Sequence, residues 1–220
     1  RDSRFLMVTI QFKKGEEIEF STIQEWIKNQ FNLDSFFGME LENTETDLLG
    51  YTHYRYKQTF KGYPVLGCEY IIHVKNNKVI SINGKIKKLI ESPIEVIFNE
   101  DIALQKALNS VNATTYMWQL PQEERMLQNI FDRPEATYYP SGELMIVPEG
   151  GNLLSNQYRL AYRFDIFASE PLSRQYIFID AENGNIITTH ERIQIADVQG
   201  TAVTKYSGTK TITTDSYNGT

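Results

Sequence analysis

His190-Glu191-Arg192-Ile193-Gln194 stands one residue short of a zinc site. In His-Glu-x-x-His, two imidazoles one helical turn apart share a face and hold one metal. Here Gln194, a poor zinc ligand, takes the second place, and the stretch follows a β-turn in a strand pattern, so metal chemistry is not expected from it. His53 and His73 each read as a hydrogen-bonded strand histidine, and the sequence names no partner for His73. Nucleophilic catalysis needs a positioned nucleophile, base and orienter. There is no Gly-x-Ser-x-Gly elbow, and Cys68, the only cysteine, reads as a small buried apolar residue in a strand. Phosphate-cradling glycine loops are absent. The carboxylate pairs Glu123-Glu124 and Asp180/Glu182 are explained by a solvated helix face and a turn. No catalytic residue and no metal ligand is assigned, and the fragment is not expected to be an enzyme by itself.

The 220 residues are 41% hydrophobic and 23% charged, ordinary for a globular chain with a substantial core. A net charge of -6 argues against nucleic acid, which calls for a basic stripe. One cysteine excludes a disulfide framework, and no apolar run approaches the ~18 residues of a membrane helix.

The elements that would position any site follow from periodicity. Residues 5–12 alternate, with Leu6, Val8, Ile10 and Phe12 on one face. Ser21-Thr22-Ile23-Gln24 has capping-box spacing before a helix whose Ile23, Trp26, Ile27 and Phe31 share a side; a loop from Asn32 to Gly38 follows. Strands are predicted at 52–59, 68–75 and 78–83, the last two joined by Asn76-Asn77, residues that tolerate a tight left-handed turn. Residues 91–98, with Pro93, read as a connector. Asn99 caps a second helix carrying Leu104, Ala107, Leu108 and Val111, and Pro121 opens a short third one. Strands are expected at 135–139, 143–147, 158–167, 175–180 and 185–193. The final stretch holds seven threonines in 200–220 and reads as a hairpin, Thr201–Tyr206 against Thr209–Thr214, entering another turn at Tyr217-Asn218-Gly219-Thr220.

One run carries more than the rest. From Leu48 to Tyr70, aromatic, basic and amide side chains alternate along a strand, and Gly62-Tyr63-Pro64 breaks it before the next. This run resembles the fungalysin/thermolysin propeptide motif of secreted zinc metallopeptidases, on Tyr51, His53, Arg55, Tyr56, Gln58, Gly62, Pro64, Val65 and Gly67. Tyr158–Phe164 and Tyr176–Gly184, following in that order, resemble the PepSY-type core of the same pro-regions. The likeness spans roughly residues 5 to 193.

The helix-plus-meander pattern, repeated on either side of Pro93, predicts an α+β fold of two lobes, each an antiparallel sheet packed with a helix, followed by a β-hairpin tail that is cut short. The lobes are expected at 1–92, carrying the propeptide motif, and 93–195, the PepSY-like core. Residues 196–220 would be the linker and opening strands of a catalytic domain. The function that the resemblance implies is that of a pro-region, folding assistant and inhibitor of its own catalytic domain. Zinc, with calcium, is expected only in that domain and no cofactor in this chain. Glu191, Arg192, Ile193, Gln194, Ile195, Ala196, Asp197, Val198 and Gln199 form the candidate processing segment. Secretion after removal of a signal peptide is expected, with no nucleic-acid partner, no membrane span, and an exposed tail offering a route to a dimer. The rival reading is a free-standing peptidase inhibitor or cell-envelope binding module without an attached enzyme.

Overall fold

The computed structural model describes residues 5–89, 95–193, 197–204 and 208–215. Part of the connector expected at 91–98 and the middle of the candidate processing segment, Gln194 to Ala196, lie outside the described residues. The chain order is β1 (Phe5–Gln11), β2 (Ile18–Glu19), α1 (Ile23–Gln30), β3 (Phe37–Thr46), β4 (Thr52–Phe60), β5 (Tyr63–Lys75) and β6 (Lys78–Lys87). Then come α2 (Glu100–Val111), β7 (Thr115–Tyr116), α3 (Pro121–Phe131), β8 (Glu143–Pro148), β9 (Tyr158–Glu170), β10 (Leu172–Asp180) and β11 (Ile186–Glu191). β12 (Asp197–Thr204) and β13 (Gly208–Asp215) close the series as a separate two-stranded antiparallel sheet. The expected tail hairpin is therefore formed, starting four residues earlier than its predicted first strand.

The architecture is α+β, mostly strands in one large mixed sheet with three α-helices. Its main path runs β1-β6-β5-β8-β9-β10-β11, with β4 on β5 and β3 on β4. The expectation of two lobes with separate antiparallel sheets does not describe this pairing. The first residues of β5 turn to β8 and pair in parallel at Val65↔Ile146, so the sheet is continuous through β5. Compactness divides the chain differently again, into interleaved segments: Arg1–Ala107, Ser141–Phe164 and Ile177–Thr188 in one unit, Leu108–Pro140, Asp165–Tyr176 and Thr189–Thr220 in the other.

In the first unit α1 covers one face of the motif strands. Ile23 and Ile27 are buried against Val8, Tyr70, Ile72, Val79, Ile82 and Ile86, with Trp26, Phe31, Tyr54 and Tyr56 packed around them, the amphipathic face that periodicity predicts. The capping box does not form. A 3-10 turn, Phe20–Thr22, leads into α1, and the Thr22 hydroxyl donates to the Glu19 carbonyl instead. Asn76 and Asn77 both take positive φ, 50° and 63°, the backbone a tight hairpin needs. Asn99 caps α2 by accepting the Ile102 N–H. In the second unit, Trp118 stacks on Tyr116 and meets Tyr139 edge-on, and Tyr138 meets Phe167. The strand expected at 135–139 is absent, because the Tyr138 N–H goes to the Glu124 carboxylate rather than to a ladder.

Gly84 lies on β6 where the sheet is tightest. Its φ is +144° and an added Cβ would press on the Glu69 carbonyl oxygen and the Tyr70 Cα. Neither backbone atom can move without breaking β5–β6 pairing. Gly84→Ala is therefore expected to destabilise the chain by at least about 2 kcal/mol, read as a lower urea midpoint at unchanged slope.

Candidate functional site

β4 and β5 carry seven of the nine motif residues singled out from the sequence, with Tyr51 just before β4 and Gly62 in the turn between the strands, and the structure sorts them by face. Tyr51 precedes β4, its ring beneath the Lys75 ammonium at 4.3 Å and its N–H on Asp47 Oδ1. Tyr56 points inward, between Tyr54 and Tyr70 with ring centroids at 6.5 and 6.0 Å, and burial pushes its phenol above the ordinary tyrosine range. Val65 is buried where β5 meets β8. Lys61 and Gly62 make the β4–β5 turn with positive φ, 51° and 84°, a demand that only the glycine meets without strain. His53 and Arg55 lie on the opposite face of the sheet, away from the Tyr54 and Tyr56 that pack on the core.

Gln58, Pro64 and Gly67 share one job. Between the pairs Lys57↔Glu69 and Thr59↔Pro64 the register of β4 and β5 shifts, because β5 swings out to reach β8 and turns at Gly67 with φ +75°. β4 loses its partner there. The Gln58 side chain takes over: its Nε2 donates to the Lys87 carbonyl at 2.7 Å and its Oε1 accepts the Lys87 N–H at 2.9 Å. The amide thus mimics a strand backbone in a buried place, Gln58 being 1% exposed. Lys87 continues the clamp. Its ammonium donates to the carbonyls of Leu153 (3.2 Å) and Ser155 (2.7 Å) and lies over the Tyr158 ring at 4.9 Å. Burial holds its pKa below the ordinary lysine value. Cys68 beside this clamp is fully buried, and burial pushes its thiol up to about 12, which leaves little reactive thiolate.

His53 meets a partner that sequence reasoning missed. Its Nδ1 lies 2.6 Å from His73 Nδ1, its Nε2 lies 3.4 Å from Asp47 Oδ2, and His73 Nε2 lies 2.5 Å from Asn83 Oδ1. Asp47 itself accepts backbone N–H groups of Tyr51 and Leu49, and these, with His53, hold its carboxyl below the usual value of 3.8. A register shift in β4–β5 hides the His53↔His73 pairing from sequence, and sequence reasoning does not single out Asp47.

The described residues of the candidate processing segment fall on two strands and the stretch after β11. Glu191 ends β11, and Arg192 is tied down: its N–H donates to the Arg174 carbonyl, its guanidinium pairs with Asp165 and lies over Tyr176 at 4.6 Å. Asp197, Val198 and Gln199 belong to β12. His190 sits on β11, not on a helix. Among the described residues no three His, Cys, Asp or Glu side chains are grouped to hold a metal ion, and no helix is long and apolar enough to cross a membrane.

Residues 38–86, covering almost all of β3 to β6, match the Fungalysin/Thermolysin Propeptide Motif. The chain is 27% identical to bacillolysin of Bacillus amyloliquefaciens over 82% of its own length and 32% of that protein. It is 24% identical to thermolysin of Alicyclobacillus acidocaldarius over 85% of this chain and 32% of that one. With neutral protease B of Bacillus subtilis it shares 29% identity over 69% of this chain and 25% of that one. The Bacillus megaterium YpeB C-terminal domain aligns with 87% of this chain and 84% of its own at a TM-score of 0.36 and 13% identity, too loose an overlay to transfer anything. The chain thus carries the propeptide motif and is distantly similar to the bacillolysins and thermolysins. It spans about a third of the length of the curated relatives it matches.

Two outcomes follow. Gln58→Leu strands the Lys87 N–H and carbonyl in a buried place, so a loss of roughly 2 kcal/mol or more is expected in chemical unfolding. Because the folded Asp47 pKa is lowered, its stabilisation of the β3–β4 turn is complete above the ordinary value and disappears only as pH falls through the lower folded value. The amide protons of Leu49 and Tyr51 should report that acid transition by NMR, and Asp47→Ala should remove it at every pH.

Proposed function

We propose that this chain is the pro-region of a secreted thermolysin-like zinc metalloendopeptidase, acting on the catalytic domain of the same polypeptide as folding assistant and inhibitor. The observation that carries this is the propeptide-motif match on residues 38–86, folded as the β3–β6 part of the sheet. The one-third coverage of bacillolysins and thermolysins supports it. In this reading residues 1–92 present the motif, 93–195 are the PepSY-like core, and 196–220 lead into the enzyme. The zinc site, and with it all catalysis, belongs to the enzyme part.

A catalytic domain rich in non-local strand pairings folds slowly, because loop closure precedes the contacts that reward it. A preformed sheet beside it lowers that barrier by holding partner strands in place. The segment Glu191–Gln199 then carries the processing bond. The anchoring of Arg192 to Asp165 and Tyr176 favours a cut on the C-terminal side of that residue, since a protease needs an extended, freed strand.

The test uses the 220-residue chain added in trans to an unfolded bacillolysin-type catalytic domain. Faster recovery of peptidase activity after removal of the chain, and inhibition of the native enzyme while it is present, are the expected results. Stable association requires an interface of roughly 1,200–2,000 Å². Equal refolding yields and undiminished activity with and without the chain would contradict the proposal.

A further inference from the structure

Three contacts in a row cross the motif sheet, from Asp47 in the β3–β4 turn through His53 on β4 and His73 on β5 to Asn83 on β6. Both ends are acceptors as placed, Asp47 Oδ2 and Asn83 Oδ1. In the middle, two Nδ1 atoms lie 2.6 Å apart. Two lone pairs or two N–H groups repel at that distance, so one proton lies between them. Filling every contact therefore takes three protons on two rings, an imidazole pair with one positive charge.

Asn83 has a second option. Turning its amide by half a turn sets Nδ2 against His73 Nε2, which then accepts. His73 donates from Nδ1 to His53, His53 donates from Nε2 to Asp47, and two protons fill every contact with the pair neutral. Two complete networks thus differ by one proton and one amide rotation. Networks in between hand one of the contacts to water, since Asn83 is exposed and His53 half-buried.

The charges around the pair are few. Glu45 stands opposite His53 on β3, and Arg55 is two residues along β4. Lys75, two residues beyond His73, is held over Tyr51. Ser81 faces His73 on β6, and Lys85 lies two residues past Asn83. On β1, Thr9 and Gln11 stand opposite Asn83 and Ser81 and carry no charge.

Asn83 also lines a surface depression of about 270 Å³ together with Arg55, Gly67, Glu69, Gly84 and Lys85. We infer that the His53–His73 pair is a proton-operated switch that sets which end of the Asn83 amide this depression presents. In the charged state Asn83 shows its NH2 beside the two cations. In the neutral state it shows its carbonyl oxygen, and the polarity of the depression follows pH.

The test is an NMR titration of the ring nitrogens in the 15N-labelled full chain, with His190 as an internal reference. The expected result is a proton shared between the Nδ1 atoms of His53 and His73. As pH rises out of the charged state, the proton that leaves comes from His73 Nε2, the Nδ1 bridge survives, and the Asn83 side-chain amide signals move in the same step. In Asn83→Asp, which offers acceptors only, His73 Nε2 keeps its proton beyond the pH at which it departs in the parent chain. Independent titration of the two rings, Asn83 signals that stay still through the step, or an unmoved step in Asn83→Asp would each overturn the inference.

Discussion

When a strand leaves its neighbour in mid-sheet, backbone groups lose their partners, and a buried site cannot leave them to water. β5 does this between Lys57↔Glu69 and Thr59↔Pro64, and the rest of the first unit depends on how the gap is closed. The Gln58 amide supplies a donor and an acceptor to Lys87, as a strand would. The Lys87 ammonium then fastens the loop at Leu153 and Ser155. Leu153 closes over Gly67, where an added Cβ would lie 2.9 Å from its Cδ2. With the gap closed, β5 serves two neighbourhoods, antiparallel to β4 and β6 along most of its length and parallel to β8 at Val65.

Most motif residues therefore act through architecture. Tyr56 and Val65 fill the core, Gly62 makes a turn, and Gln58, Pro64 and Gly67 build the departure of β5. His53 and Arg55 remain for the outer face, where His73 and Asn83 join them through the register. Here the motif is a locally braced sheet with one apolar face closed by α1 and His53 and Arg55 on the other, as antiparallel sheets allow. A surface that is already ordered spends little entropy on engaging a partner.

Much of the secondary structure was legible because it rests on local rules. The face of α1, the Asn76-Asn77 turn, the Asn99 cap and Pro121 at the start of α3 all follow from side-chain periodicity or backbone preference. β3 was missed: Phe37, Met39 and Leu41 alternate with Gly38, Glu40 and Glu42, but Asn43 to Thr46 carry no apolar residue and Phe37 is its only buried side chain, so the pattern fades over most of its length. The strand expected at 135–139 failed because the Tyr138 N–H is taken by the Glu124 carboxylate, while the rings of Tyr138 and Tyr139 meet Phe167 and Trp118 edge-on. The single sheet was hidden in the same way as the His53–His73 pair. Both depend on a register shift that periodicity cannot show, since a period of two carries no information about which strand lies alongside.

Residue-resolved hydrogen exchange on the intact chain tests the dependence on this junction most directly. Amides of Cys68 to Val74 on β5, the Lys87 amide held by Gln58, and the β8–β9 pairs from Glu143 to Arg163 should exchange together, at the free energy of global unfolding. Exchange of β4–β6 through a separate, lower-energy opening that leaves 143–163 protected would contradict it, and would mean that the motif strands are a module joined to the rest of the sheet in name only.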